Sequence, residues 1–135
     1  MYHYFAGYYL YLDTRQTELC NGVLYIVFPR LPPDTYGVAK CLSFDYNING
    51  PHTGSLSVMD GHNFVMWSTT RLTIREGRSV WVNHKITLSP SQRLFAFKMT
   101  RGGDSHDDLD GKIAIDNIMV VPLSCDGNVC LHSEY

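Results

Sequence analysis

The chain has 135 residues, with 13 acidic and 11 basic side chains and a formal net charge of -2. This balance argues against a nucleic-acid-binding face and against a polybasic membrane patch, since both need an excess of Lys and Arg. No stretch approaches the roughly 18 consecutive apolar residues of a membrane span, so we expect no membrane insertion by this segment. The length is typical of one domain over residues 1–135 with a self-sufficient core.

The first half of the chain predicts strands separated by turns. GYYLYLD (7–13) and VLYIVF (23–28) are rich in tyrosine and valine, which is typical of central or sandwich-core strands. PRLPPD (29–34) contains three prolines, which exclude a paired central strand. CLSFDYNI (41–48) and GSLSVMD (54–60) alternate apolar with polar residues, the pattern of half-buried strands.

The second half continues in the same way. Further strands are predicted at FVMW (64–67), VWVNHKITL (80–88), LFAFKMT (94–100) and KIAIDNIMVV (112–121). Turn-forming sequences, among them CNG, MDGHN, REGR and LSPSQ, separate the strands. We predict no helix and no repeat. About eight strands joined by short turns indicate an all-β fold, an antiparallel β-sandwich or jelly roll.

The sequence contains no recognisable catalytic arrangement. GxSxG, HExxH and phosphate-loop motifs are absent, so we expect a domain that is not an enzyme. The acidic stretch GDSHDDLDG (103–111) could hold Ca²⁺, because hard cations bind clustered carboxylates. It departs from the EF-hand template, with His106 at the third position and Ile115 at the twelfth. A solvated hairpin loop is the more common outcome for such a stretch.

A carboxylate stands inside the apolar run of the last strand. If the strand over residues 113–121 is buried on both faces, Asp116 shares its face with Ala114, Ile118 and Val120. An unpaired charge there would cost several kcal/mol or more, as a rough figure. We therefore expect Asp116 to have partners: backbone N–H groups, a hydroxyl, a cation, or a bulge that moves it to the rim.

The two tryptophans allow two interpretations. Trp67 and Trp81 could form a platform on which sugars stack, since amphipathic rings suit recognition surfaces. Tryptophans in the core or at the rim of a sandwich are the more common case. Exposure of both rings on one concave face would distinguish a carbohydrate-binding module from a protein-interaction module.

The cysteines leave the compartment open. There are four, at 20, 41, 125 and 130, and none forms a CxxC pair. The spacing between Cys125 and Cys130 is wider than that of a zinc knuckle, and no second pair lies nearby. They could be reduced thiols of a cytosolic protein or could include a disulfide of an extracellular domain.

The order of the motifs resembles the MAM domain, the module named for meprin, the A5 protein (neuropilin) and receptor protein tyrosine phosphatase mu. The family pattern has six motifs: a YYLYVD-like strand, a cysteine that opens a strand with alternating aromatics, a G-x-L-x-V strand, two tryptophans, an IAIDDI strand and a closing cysteine. Here they fall, in that order, at residues 8–13, 41–46, 54–58, 67 and 81, 113–118, and 125. The resemblance covers residues 7–125, which leaves 126–135 as a C-terminal tail or the start of a following segment.

The chain also departs from this pattern. Family members begin with a further N-terminal stretch that carries more cysteines, and Asn117 replaces the second aspartate of the usual IDD. We expect a fragment that begins at Met1, without a signal peptide, whose first strands are absent. Such a sandwich would expose a strand edge and some apolar area, with Tyr2, Tyr4 and Phe5 partly covering the gap, so we expect it to self-associate or to be marginally stable.

The resemblance implies a non-catalytic extracellular module that mediates adhesion or oligomerisation in a receptor, adhesion protein or secreted protease. Its partners would be proteins, in homophilic or heterophilic contacts.

The family pattern pairs Cys41 with Cys125, which leaves Cys20 and Cys130 unpaired or joined to absent segments. The aspartate that matches Asp116 lies near a metal site in several MAM domains, so Asp116 and Asp13 are candidate ligands for Ca²⁺. A jelly-roll carbohydrate-binding module using Trp67 and Trp81 is the alternative.

Overall fold

The computed structural model describes residues 2–4, 10–13, 23–27, 30–31, 33–50, 54–100 and 112–126. Within these residues there are eleven strands, a short 3-10 turn at Pro33–Thr35 and no α-helix, hence no helix that could cross a membrane. The strands are β1 Tyr2–Tyr4, β2 Leu10–Asp13, β3 Val23–Val27, β4 Lys40–Asn49, β5 Ser55–Asp60, β6 Val65–Thr69, β7 Ile74–Arg75, β8 Arg78–Ser79, β9 Val82–Leu88, β10 Phe95–Thr100 and β11 Lys112–Val121.

Nine of these strands form two antiparallel sheets, as predicted for a sandwich. The first sheet has the order β1-β11-β4-β9, and β2 also pairs with β11. Because β4 pairs along one edge of β11, β1 and β2 both pair along the other edge of β11, one after the other. The second sheet has the order β3-β10-β5-β6. The two remaining strands, β7 and β8, form a separate two-stranded hairpin.

The core lies between the inner faces of the two sheets. On β4, the alternate residues Leu42, Phe44 and Ile48 are fully buried, which agrees with the period-two pattern. From the second sheet, Phe95 and Phe97 of β10 are fully buried in the same cluster. Burying a side chain of this size contributes roughly 1.5–3 kcal/mol relative to leaving it exposed. Core packing therefore holds the sheets together face to face.

A lysine is fully buried at the start of β4. The Nζ of Lys40 donates to the backbone carbonyls of Thr35 and Val38, each at 3.1 Å, and lies 3.5 Å from that of Ser89. Burial, and then the charge of Arg93, lower the pKa of Lys40. These contacts join the 3-10 turn, the start of β4 and the loop after β9.

Three strands were not predicted, and they account for the difference between about eight expected strands and the eleven described. They are β1, β7 and β8. The first pairs with β11, so that Tyr2 lies opposite Val120. Each of the other two includes one arginine of REGR, and the turn predicted at this motif lies between them at Glu76 and Gly77. The acidic stretch 103–111, Cys20, Cys130 and Phe5 lie outside the described residues.

Candidate interaction surface

A β-bulge in β11 resolves the position of Asp116. Asp116 pairs with Asp45 and Met119 with Ser43, so two residues of β11, 117 and 118, lie opposite the single residue Phe44. Asn117 takes a positive φ of 51°, which allows the extra residue to fit. The bulge reverses the alternation, so Ile118 is fully buried while Asp116 faces outward with Asp45.

The expectation that Asp116 shares its face with Ile118 and Val120 was therefore wrong. An uninterrupted strand would have placed all three side chains together, but the inserted residue moves the two apolar ones to the core face. The Oδ1 of Asp116 accepts a hydrogen bond from the backbone N–H of Asn117 at 2.7 Å. The bulge and the backbone donor, both among the partners expected for this carboxylate, together remove the problem of a buried charge.

Polar side chains connect three strands across the outer face of the first sheet. The carboxylate of Asp45, on β4, accepts from Nδ2 of Asn117 at 2.7 Å and from Nδ2 of Asn83, on β9, at 2.8 Å. The Nδ2 of Asn83 also lies 3.1 Å from the hydroxyl of Ser43. Asp45 thus has an amide donor on each neighbouring strand.

The metal-binding prediction for Asp116 and Asp13 stays a prediction. Among the described side chains, no three His, Cys, Asp or Glu residues cluster closely enough to hold a metal ion. Asp13 pairs in register with Lys112, four residues from Asp116, and its side chain lies outside the described part. Four residues of strand span about 13 Å. The backbone register alone therefore does not bring the two carboxylates to one ion.

A disulfide joins Cys41, at the start of β4, to Cys125, just after β11, with a Cα–Cα distance of 4.7 Å. Register explains the approach, because Cys41 pairs with Val121 at the end of β11. The backbone N–H of Cys125 also donates to the hydroxyl of Thr87 on β9 at 3.2 Å. The segment just after β11 is thereby held to β4 by the disulfide and to β9, the strand beyond β4, by this hydrogen bond.

The two tryptophans do not share one exposed face. Trp67 lies opposite the fully buried Val58 and packs against the core. Its ring is stacked on His84, with centroids 4.4 Å apart and planes at 22°, and contacts Phe44 edge-on at 5.4 Å. Burial lowers the pKa of His84. Trp81, by contrast, is 47% exposed. This arrangement does not provide the sugar-stacking platform that the carbohydrate alternative requires.

The β7–β8 hairpin is firmly attached to the end of β4. The pairing of β4 with β9 stops at Tyr46 and Val82, the first residue of β9. Past this point, Thr73 takes the place of a neighbouring strand beside Ile48 of β4. Its hydroxyl accepts from the N–H of Ile48 at 2.9 Å, and its own N–H donates to the carbonyl of Ile48 at 2.9 Å. Asn47 adds hydrogen bonds to the Ser79 hydroxyl at 2.7 Å and the Val80 carbonyl at 2.9 Å.

The tip of the hairpin is a tight two-residue turn. Glu76 and Gly77 both take positive φ, 53° and 75°, the geometry of a type I′ turn. The strands then pair as Arg75 with Arg78 and Ile74 with Ser79. This turn type matches the natural twist of two antiparallel strands, so the hairpin has a defined conformation at its tip.

Register gives the hairpin two chemically different faces. Val80 donates to the carbonyl of Thr73 at 2.8 Å, so the pairing continues and places Leu72 opposite Trp81. Leu72, Ile74 and Trp81 therefore line one face, where they are 37%, 48% and 47% exposed. Arg75 and Arg78 lie on the other face and are exposed. We call this element, residues 71–81, the two-faced hairpin.

The two-faced hairpin was not among the predicted strands, although part of its pattern is present in the sequence. The residues before EG alternate between apolar and polar, as LTIR, whereas those after it, RSVW, do not. Such alternation leading into a two-residue turn that contains glycine is part of the pattern of a β-hairpin. The runs are so short that the turn alone was recognised.

The comparisons with known proteins agree with this architecture. The family model described as MAM domain, meprin/A5/mu, matches residues 3–126. The MAM domain-containing glycosylphosphatidylinositol anchor protein 2 of Homo sapiens is 27% identical over 131 residues, which is 88% of this chain and 13% of that protein. The proteins of the same name from Mus musculus and Rattus norvegicus give the same values. The chain thus spans about an eighth of the length of these relatives, and it belongs to the MAM domain family, a family of non-catalytic, adhesion-type domains.

Proposed function

We propose that this chain is a non-catalytic extracellular module through which a longer protein contacts other proteins. The observation that carries this proposal is the Cys41–Cys125 disulfide within a MAM domain. Structural disulfides persist in oxidising environments and are rare in the cytosol, where thiols are kept reduced. The bond joins the two central strands of the first sheet at one end, so it belongs to the framework of the domain.

The relatives support the same location. Their name describes a glycosylphosphatidylinositol anchor, which places those proteins at a membrane surface. We infer that the present chain is likewise one module of a larger receptor, adhesion protein or secreted protease. Its role there would be adhesion to a second protein or association of the parent protein with itself.

The exposed apolar residues favour protein partners over sugars. The two-faced hairpin presents Leu72, Ile74 and Trp81 to solvent on a rigidly attached ribbon. Apolar and aromatic side chains in such a position are typical of protein interfaces. A sugar platform needs exposed rings beside one another, whereas Trp67 is partly buried and packs against the core.

A bead assay tests this function and distinguishes homophilic from heterophilic contact. The secreted protein is coupled to beads of two colours, and aggregation is measured alone and with cells. Mixed-colour aggregates would support homophilic contact, and binding to cells would support a heterophilic protein partner. Binding to cells that is resistant to protease treatment but lost after glycan removal would instead favour the carbohydrate alternative. Beads that bind neither each other nor any cell type more than uncoated beads would contradict the proposal.

A further inference from the structure

The two-faced hairpin carries an arrangement that is unfavourable for the isolated domain. Arg75 and Arg78 lie directly opposite each other in register, and both are exposed. Like charges in directly opposed positions of two strands are destabilising. The hairpin as a whole carries three arginines, at 71, 75 and 78, against the single acid Glu76, whereas the chain has a net charge of -2, so this local excess of positive charge is not a general property of the molecule. A carboxylate-bearing partner would relieve the repulsion.

The opposite face of the same ribbon is apolar. Three large apolar side chains on this face are partly exposed: Leu72, Ile74 and Trp81. Each is large enough to contribute to an interface if a partner covers it. Since the hairpin is only two strands wide, a single partner can contact both faces. The attachment through Thr73 and Asn47 fixes the base of the ribbon, so little conformational entropy would be lost on binding.

We propose that the two-faced hairpin docks into a groove of a partner protein that has one apolar wall and one wall bearing Asp or Glu. This inference rests on the proposed function and adds the surface and the partner's chemistry. The apolar wall packs on Leu72, Ile74 and Trp81. The carboxylates bind the guanidinium groups of Arg75 and Arg78, which suit bidentate pairing. A sulfated glycan fits less well, because it would leave the apolar face exposed.

The test uses a phage-displayed library of disulfide-constrained random peptides, selected on the full chain. We expect enriched peptides to combine Asp or Glu with aromatic or aliphatic residues. A synthetic peptide of that sequence should bind about tenfold or more weakly to Arg75→Glu/Arg78→Glu and to Ile74→Ser, as expected for interface hot spots. Amide NMR shifts on peptide binding should be concentrated at residues 71–81.

Matched controls separate this surface from general charge and hydrophobicity. Arg30→Glu/Lys85→Glu makes the same change of charge at exposed positions elsewhere, and Phe64→Ser removes an exposed apolar side chain from the β5–β6 turn. Both should leave peptide affinity unchanged. Arg78→Glu alone should maintain or raise Tm, since it replaces a like-charge pair by an opposite-charge pair, while it weakens binding. A loss of binding caused by misfolding would instead come with a lower Tm.

Other outcomes overturn the inference. Enriched peptides without acidic residues, or peptides whose affinity is unaffected by the hairpin variants, would exclude this docking site. A heparin fragment that binds through the arginines without dependence on Ile74 would assign the surface to a sulfated glycan. A dimer in sedimentation that dissociates with Ile74→Ser would assign it to a second copy of the chain. Bead adhesion that persists in all hairpin variants would leave the proposed function intact and remove only the docking site.

Discussion

Nδ2 of Asn117 donates a hydrogen bond to Oδ2 of Asp45, 2.7 Å away on the neighbouring strand. The side chain that makes this bond belongs to the residue whose φ of 51° forms the bulge in β11. Asn tolerates this left-handed conformation better than most residues. A single residue thus both allows the bulge and supplies the donor that satisfies a carboxylate on β4.

Asn117→Asp should lower the free energy of unfolding by about 1–2 kcal/mol at pH 7. The substitution removes a hydrogen bond to a charged acceptor and places a second carboxylate beside Asp45. Adding Asp45→Asn to the same chain should recover most of the loss, because the amide and carboxylate then exchange positions. Urea denaturation of the wild type, both single variants and the double variant measures the coupling. Additive effects of the two changes would show that the pair does not interact.

The same variant bears on the metal prediction for Asp116. Asn117→Asp restores the IDD sequence of the family pattern and so brings three carboxylates together, at positions 45, 116 and 117. Calcium should raise Tm of this variant more than that of the wild type, because clustered carboxylates attract hard cations. Thermal unfolding with Ca²⁺ and with EDTA gives the comparison. Equal effects of Ca²⁺ on both proteins would show that the second carboxylate does not contribute to a site.

The sequence predicted most of the sandwich because alternation directly reflects burial. In β4, the apolar residues Leu42, Phe44 and Ile48 point to the core as their spacing indicates. Alternation did not predict burial after Asp116, because the bulge inserts one residue into β11 while the residues on both sides of it are mostly apolar. Only pairing with β4 shows that residues 117 and 118 lie opposite one residue. Similarly, the packing of Trp67 against the core depends on its register opposite Val58.

Loss of the disulfide should strongly destabilise the domain. Cys41 and Cys125 are 84 residues apart in the sequence. In the chain-entropy model, closing a loop of that length contributes about 4–5 kcal/mol by restricting the unfolded chain. The double variant Cys41→Ser/Cys125→Ser should therefore unfold at a much lower urea concentration. Peptide mapping of unreduced protein provides the control, and a different pairing, such as Cys125 with Cys130, would contradict the structure.

Acidification should destabilise the fold through His84. Burial lowers the pKa of this imidazole, so it is harder to protonate in the folded chain than in the unfolded chain. The unfolded state then binds more protons as pH falls below about 6.5, the usual His value, and protonation favours unfolding. The stability from the neutral imidazole is complete above that pH and decreases as pH falls towards the folded pKa. His84→Gln should reduce this pH dependence between about pH 5 and 7.

Fluorescence gives a local check on the same group. The rings of His84 and Trp67 are stacked, so protonation of the imidazole should quench the emission of Trp67. A Trp81→Phe background leaves Trp67 as the only tryptophan, since the sequence contains two. The quenching should disappear when His84→Gln is added. A pH-dependent emission that persists in that variant would show that another group is responsible.

The hairpin's attachment can be weakened at one hydroxyl. Thr73→Val keeps the shape of the side chain but removes the hydroxyl that accepts a hydrogen bond from the N–H of Ile48. The pairing with β9 ends at Val82, so β9 offers this N–H no other acceptor. An unsatisfied buried donor costs about 1–3 kcal/mol, so we expect a loss of stability in this range. Hydrogen exchange should accelerate at the amide of Ile48. Ser79→Ala, which removes an exposed hydroxyl bonded to Asn47, should cost less because water can replace that contact. Equal losses for both variants would show that the hairpin is held mainly by its exposed hydrogen bonds, and that Thr73 does not substitute for a strand at the end of β4.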